Sequence, residues 1–516
     1  MDLNLNHESF ISNEIAFDGN FEQSVELDYI LPDYFPDIFR ILKCSFIPKI
    51  VSHTINGEKL IFDLTLCIRI LYLSNDSSSI NCIEQKQNYT KTVDLSCTPE
   101  NPSFKITPCV DYVNCRVVNS RRLDIRGAVT TKISLECEKS TNIVSNAKGL
   151  NVQLKKEFVT FPAKRLTAAK RITITEEIEL NQTKGKINSI IKSDCIINSF
   201  EKKIIANKLI IKGEAKVSLL YNCEIENDEP QIIETIKFSI PFSQIIDIEG
   251  ITEQYEAVTN VSVASLDLIP NKSGDKNEIE CEVILFINCT AFRYDTIELA
   301  TDAYSTKYLC DFECADIKLE KQPVEIKENQ SVKAELSCSD CEICTATDSW
   351  AKPFNIQCKY NTDKSSFVVF GNIEIGAIAK DENNCPLYLE DTISFEHCID
   401  MNVDENSKAD INVHIDNCTF TITSSDTIEI KAELFICGYI KELDSRKLIT
   451  DINICEDKIK ERQNCYAVKL YYADKDEDIW EIAKKFSTSV SAIAQENELT
   501  DSSKLQKGML LIPILD

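Results

Sequence analysis

Glycine is scarce in this chain, 12 residues in 516. No G-x-G-x-x-G and no G-x-x-x-x-G-K-[ST] occurs. A loop whose backbone cradles phosphate needs such glycines, so no nucleotide-binding loop is expected. Histidine is scarcer still, with four residues: His7, His53, His397 and His414. Hydroxyl and thiol nucleophiles usually need a histidine base, and none of the four stands in a Gly-x-Ser-x-Gly or Cys–His signature. His7 reads as part of a tail and the others as strand or turn residues on the surface. Positive charge is short as well: 56 Lys+Arg against 83 Asp+Glu leave a formal net charge of −27. A nucleic-acid binder needs a basic stripe. The densest basic stretch, Lys164 to Arg171, is brief and flanked by acids, which argues against nucleic acid as a partner and suits attraction to basic protein surfaces. No apolar run approaches the 18 residues of a membrane span, so no transmembrane segment is expected. The first residues show no basic stretch followed by an apolar one. No signal peptide is therefore expected, and the product is expected to stay in the cytosol of the cell that makes it. The abundant acids fall on the wet parity of strand-like stretches, where they solvate a face and form no glycosidase pair. Neither an enzyme nor a cofactor is expected.

What the chain does have is cysteine, 23 residues, an odd number. Most stand singly in alternating apolar stretches, as at Cys67, Cys281 and Cys437, and read as small buried hydrophobes of a reducing cytosol. A second reading keeps some exposed, to oxidise into cross-links. The one cluster is Cys338-Ser-Asp-Cys341-Glu-Ile-Cys344. Cys-x2-Cys spacing can hold zinc or part of an iron–sulfur cluster, with Cys358 or Cys310/Cys314 supplying a further ligand. No separate second Cys-x2-Cys completes it and no other repeat contains it, so incidental cysteines are expected there, with a metal site or redox thiols as lesser readings.

Three segments share one alternating pattern: Leu60 to Tyr72, Leu209 to Tyr221 and Phe367 to Ala379. In the second, Leu209, Ile211, Ala215, Val217, Leu219 and Tyr221 fall on one parity and Lys212, Glu214, Lys216 and Ser218 on the other. A period of two means a strand with one buried and one wet face. In the same register Leu60, Phe62, Leu64, Leu66, Ile68 and Ile70 line the buried face of the first copy. Each strand is followed by a second shared element (near Tyr89, Phe238 and Asp391) and later by a third: Leu123 to Val129, Ile279 to Ile287 and Ile428 to Ile436. Three elements in one order, three times over, predict a mainly β protein of three tandem antiparallel units. The expected boundaries are 1–25 for a tail or first strand, then 26–150, 151–325 and a divergent 326–460. LPDYFPDIFRIL (Leu31 to Leu42) opens the first unit. Its prolines punctuate entry to the fold, and the residues after Pro36 could form a short helical turn.

Residues 465–516 change character. Strand-like Tyr466 to Tyr472 gives way to a helical stripe of Ile479, Ile482, Ala483 and Phe486, with Asp478 as its N-cap. Ser489 caps a second stripe of Val490, Ile493 and Ala494 that ends at Asn497. Met509 to Ile514 reads as a final strand, so the order is βααβ.

This last module resembles the LysM family on IWEIAKKF, Asn497 and LQKGMLLIP. The repeats resemble SPOCS domains on LPDYFPDIFRIL, the strands ending RILY and SLLY, and IPFSQIIDIEG. SPOCS repeats followed by LysM resemble the spore-coat morphogenesis family that includes SipL and its functional counterpart SpoVID. The resemblance implies a non-enzymatic scaffold or adaptor of endospore coat assembly, in the mother-cell cytoplasm at the forespore outer surface, whose LysM module docks the basal coat ATPase (SpoIVA-like). It also implies an alternative, peptidoglycan binding by the same module, which would anchor the chain to the cortex or cell wall. In glycan-binding LysM domains the sugar groove lies between the loops before the first helix and before the last strand. Those map here to Asp474, Asp476, Glu477, Asp478 and Ile479, and to Leu499, Thr500, Asp501 and Lys504. The family's Gly-Asp-Thr reads Asp476-Glu477-Asp478 in this chain. Losing that glycine works against close backbone approach, and three carboxylates are costly to cover with a neutral sugar. From 465 to 516 six lysines face nine acids, so a basic protein surface is the favoured partner. Trp480, at helical spacing, is expected in the core.

Overall fold

The computed structural model describes residues 3–74, 79–181, 183–197, 199–224, 232–271, 277–339, 342–460, 467–499 and 507–513. The fold is mainly β, as the alternation of its apolar residues requires.

The first copy contains β1 (Asn4–Ile30), β2 (Ile38–Asn56), β3 (Lys59–Ser74), β4 (Ile80–Asp94), β5 (Ser103–Asn119) and β6 (Arg122–Lys148). They form two antiparallel sheets, β1-β6-β5 and β2-β3-β4. The second copy repeats this with β7 (Val152–Glu179), β8 (Ile187–Ile196), β9 (Phe200–Ile205), β10 (Lys208–Cys223), β11 (Ile233–Asp247), β12 (Glu256–Pro270) and β13 (Glu278–Ser305). Its sheets are β7-β13-β12 and β8-β10-β11, with β9 also along β10. The third contains β14 (Tyr308–Glu320), β15 (Val324–Ser337), β16 (Ile343–Asn361), β17 (Ser366–Asp381), β18 (Pro386–Cys398), β19 (Lys408–Ser424), β20 (Thr427–Lys441) and β21 (Leu443–Ile459). Here the sheets are β15-β20-β19, β16-β17-β18 and the pair β14-β21.

The repeated sequence segments take equivalent places. β3, β10 and β17 are the centres of one sheet, β4, β11 and β18 their neighbours, and β6, β13 and β20 the centres of the other. Leu60 through Ile70 on the even positions, and Ile428 through Ile436 on theirs, are at most 1% exposed. Each unit closes its two sheets over its own apolar cluster. Burying one such Leu or Ile contributes about 2 kcal/mol.

Two local expectations differ. The residues after Pro36 form no helical turn but enter β2 at Ile38; before them Phe35 N closes a turn on Pro32 O at 3.0 Å, Arg121 donates to Pro32 O at 2.8 Å and Leu31 O at 3.3 Å, and Tyr72 Oη donates to Pro36 O at 3.0 Å. His7 is no tail residue but lies in β1 opposite Val144.

β1/β6 and β7/β13 run on far beyond their sandwiches, to Asn4↔Lys148 and Val152↔Ser305. In the third copy the same ribbon is broken around Lys321 to Pro323, where proline removes a ladder donor, and resumes as β14/β21. The three ribbon ends share a core: Phe10 and Ile143 from the first, Phe161 and Leu299 from the second, Ile317 and Leu448 from the third. The other sheets also meet, at Leu71, Leu220 and Ile378.

Candidate functional site

The C-terminal module consists of β22 (Val468–Ala473), α1 (Ile479–Phe486), α2 (Val490–Glu496) and β23 (Gly508–Pro513), with β22 and β23 paired antiparallel. Local chemistry sets both helix starts. The Asp478 carboxylate accepts the Trp480 amide at 2.8 Å, and Ser489 Oγ accepts that of Ala492 at 3.1 Å. Ser487, left-handed at φ 52°, ends α1. Asn497 ties α2 to the last strand, donating to Leu511 O and accepting from Leu511 N, each at 2.7 Å. Ala473, Ile479, Trp480, Ile482, Ala483, Ile493, Leu510 and Ile512 form the core.

The loop before α1 is largely committed within the fold. Glu477 accepts from Tyr471 Oη at 2.6 Å and from the Asp474 amide at 3.1 Å. This hydrogen bond holds the Tyr471 phenol above its ordinary range. Asp478, besides capping α1, pairs with Lys155 of β7 at 2.8 Å. Partial burial pushes its carboxyl up, but the Lys155 ammonium and the Trp480 amide outweigh that and hold it below the usual carboxylate range. Its stabilising contribution is therefore complete above the ordinary carboxylate value and is lost as pH falls through the lowered one. Asp474 meets Lys507 at 3.4 Å. Asp476 is exposed at φ 63°, the conformation in which glycine is at ease. Ile479 is buried and Leu499 packs partly against the core. Thr500, Asp501 and Lys504 lie outside the described residues. Trp480 is core, but a core shared with the ribbon of β7 and β13: its indole N–H donates to Asp302 at 2.7 Å. No local pattern signals Lys155, Asp302 or Tyr304 as neighbours of this module.

Sequence reasoning also missed the outward face of β22/β23. Val468, Leu470, Tyr472 and Met509 are 40%, 63%, 64% and 65% exposed. Leu470 stands opposite Leu511 and Tyr472 opposite Met509, so they form one contiguous apolar strip. The signal was present in these four residues. Apolar residues on both parities hid it, because either face could have been the buried one.

Elsewhere, Cys338 is disulfide-bonded, so its sulfur is no longer a free thiolate ligand. Cys344 is an exposed thiol, and Cys341 lies outside the described residues. Among the described residues no group of three or more His, Cys, Asp or Glu is arranged to hold a metal. Burial pushes the Cys82 and Cys195 thiols up to about 12, which suits packing and not reactivity. A cleft of about 420 Å³ between the second and third units is lined by Lys202, Tyr255, Phe292, Glu325 and Tyr439. There Lys202 is spent on Ala257 O at 2.7 Å and Tyr439 Oη at 2.9 Å. No described helix is long and apolar enough to cross a membrane.

The family described as SipL, SPOCS domain matches residues 37–118 and 186–269. These parts of the first two copies are similar to SPOCS domains. The two matches cover β2 to β5 and β8 to β12, equivalent parts of the first two SPOCS copies. They support a role in sporulation and the spore coat. No curated protein and no solved structure matches the chain.

Proposed function

We propose that this chain is a non-enzymatic scaffold of the endospore coat. Its SPOCS units (26–150, 151–325 and 326–460) form the body of the scaffold, joined through shared apolar clusters. Residues 465–516 are a LysM module that docks the basal coat ATPase (SpoIVA-like) at the forespore surface, in the mother-cell cytoplasm. The observation that carries the docking is the exposed strip Val468, Leu470, Tyr472 and Met509. A contiguous apolar strip that includes an aromatic, on a surface otherwise rich in acid, is the composition of a protein-binding hot spot. The peptidoglycan alternative draws less support. The sugar groove before α1 would use Glu477 and Asp478, and both are already engaged, by Tyr471 and Lys155.

Co-purification with the basal coat ATPase tests this, beside sedimentation with purified peptidoglycan. Leu470→Asp with Tyr472→Asp is expected to weaken ATPase binding at least about tenfold, as loss of a hot spot does. Strong sedimentation with peptidoglycan and no retained ATPase would reverse the assignment.

A further inference from the structure

We propose that the far end of the β7/β13 ribbon is a dedicated seat for the C-terminal module. Asp302 is its latch, and the seat admits the module in one orientation. This goes beyond the scaffold reading and does not depend on what the outer strip binds.

A register shift between Ala300 and Asp302 interrupts the β7/β13 ladder. Such a bulge re-aims the side chains after it, and here it precedes the residue that meets the module. Both Asp302 carboxylate oxygens are used. Trp480 Nε1 donates to Oδ2 at 2.7 Å, and Lys484 Nζ reaches Oδ1 at 2.8 Å and Oδ2 at 2.7 Å. The Ala303 amide donates to Oδ1 at 2.9 Å. Charge-assisted bonds at a carboxylate only 18% exposed are the strong kind. Two residues along, Tyr304 sets its ring edge-on to Trp480 at 4.9 Å, and its buried hydroxyl donates to Thr488 O at 2.7 Å, between the two helices.

Orientation follows from charge. Lys155 is the residue directly opposite Asp302 in the ladder. Lys155 holds Asp478 at the start of α1, and Asp302 holds Lys484 nearer its end. Turning the module end for end would set Asp302 against Asp478 and Lys155 against Lys484. The seated arrangement therefore excludes its reverse by repulsion at both points. It also turns the α1 face inward and leaves the β22/β23 strip facing out.

The chain has two tryptophans, Trp350 and Trp480, so Trp350→Phe in the full chain makes Trp480 the sole reporter. Asp302→Ala in that background is expected to red-shift its emission and raise acrylamide quenching about threefold, since losing a charge-assisted bond to a buried partner releases the module. Lys484→Ala, which leaves the ribbon untouched, should act in the same direction and decides the matter if Asp302→Ala fails to fold by far-UV circular dichroism. Joining Asp302→Lys to Lys484→Asp should bring quenching back toward the parent. Quenching that stays at the parent's level in both Asp302→Ala and Lys484→Ala would overturn the latch.

Discussion

The first and second SPOCS copies place the same backbone under opposite surface chemistry. Leu31 N bonds Arg121 O and Leu180 N bonds Asn277 O, each at 2.8 Å, which aligns the two sheets residue by residue. On the outward face of the first, Asp28 and Asp124 also stand opposite each other, but each is met by an arginine, Asp28 by Arg122 and Asp124 by Arg126. The equivalent face of the second carries Glu177 opposite Glu280, Glu179 opposite Glu278, and Asp267 opposite Glu282. Lys86 of the first copy answers Asp267 at 3.6 Å. The third copy resembles the first in this respect, with Lys333 bonded to Glu429 at 3.0 Å. Like charges directly opposite each other on a sheet are destabilising, yet the inward faces of these sheets are equally buried. The lesson is a division of labour within one strand: the buried parity specifies the sandwich, and the wet parity is free to diverge at a small cost.

Three sets of substitutions press on that comparison. The largest effect belongs to the parity the copies share. Leu123→Ala in β6 and Ile279→Ala in β13 remove equivalent side chains that are 0% exposed. Each is expected to destabilise by about 3 kcal/mol, read from urea unfolding, and a large difference between them would mean that the two cores are not alike. A smaller effect comes from giving the first copy the second copy's face. Arg122→Glu with Arg126→Glu should lower the unfolding midpoint at low salt, and lower it less at high salt, because exposed pairs are weak and screened. The smallest is the reverse exchange. Glu282→Arg, opposite Asp267 and equivalent to Arg126, should stabilise the second copy by about 0.5 kcal/mol, and thermal unfolding at two salt concentrations should show the gain shrinking as salt rises. A loss of stability from that exchange would show that the acidic face is held by contacts other than the cross-strand pairs.

The charge of the chain as a whole hid this contrast. Both faces read in sequence as polar residues on the wet parity, and only register shows whether a glutamate lies across from an arginine or another glutamate. The apolar strip of β22/β23 escaped for a related reason: Val468, Leu470, Tyr472 and Met509 look like core until the helices are seen to cover the other side.

Local periodicity sufficed for the strands, the helix caps at Asp478 and Ser489, and the threefold recurrence of the strand pattern. Those depend on residues two to four apart, whose spacing a chain carries in itself. The meeting of three ribbon ends around Phe10, Phe161 and Ile317, the broken ladder that aims Asp302, and the pairing of Asp302 with Trp480 178 residues away were settled only in three dimensions. Contacts at that separation form because packing and charge reward them after the strands exist, and no nearest-neighbour pattern encodes them.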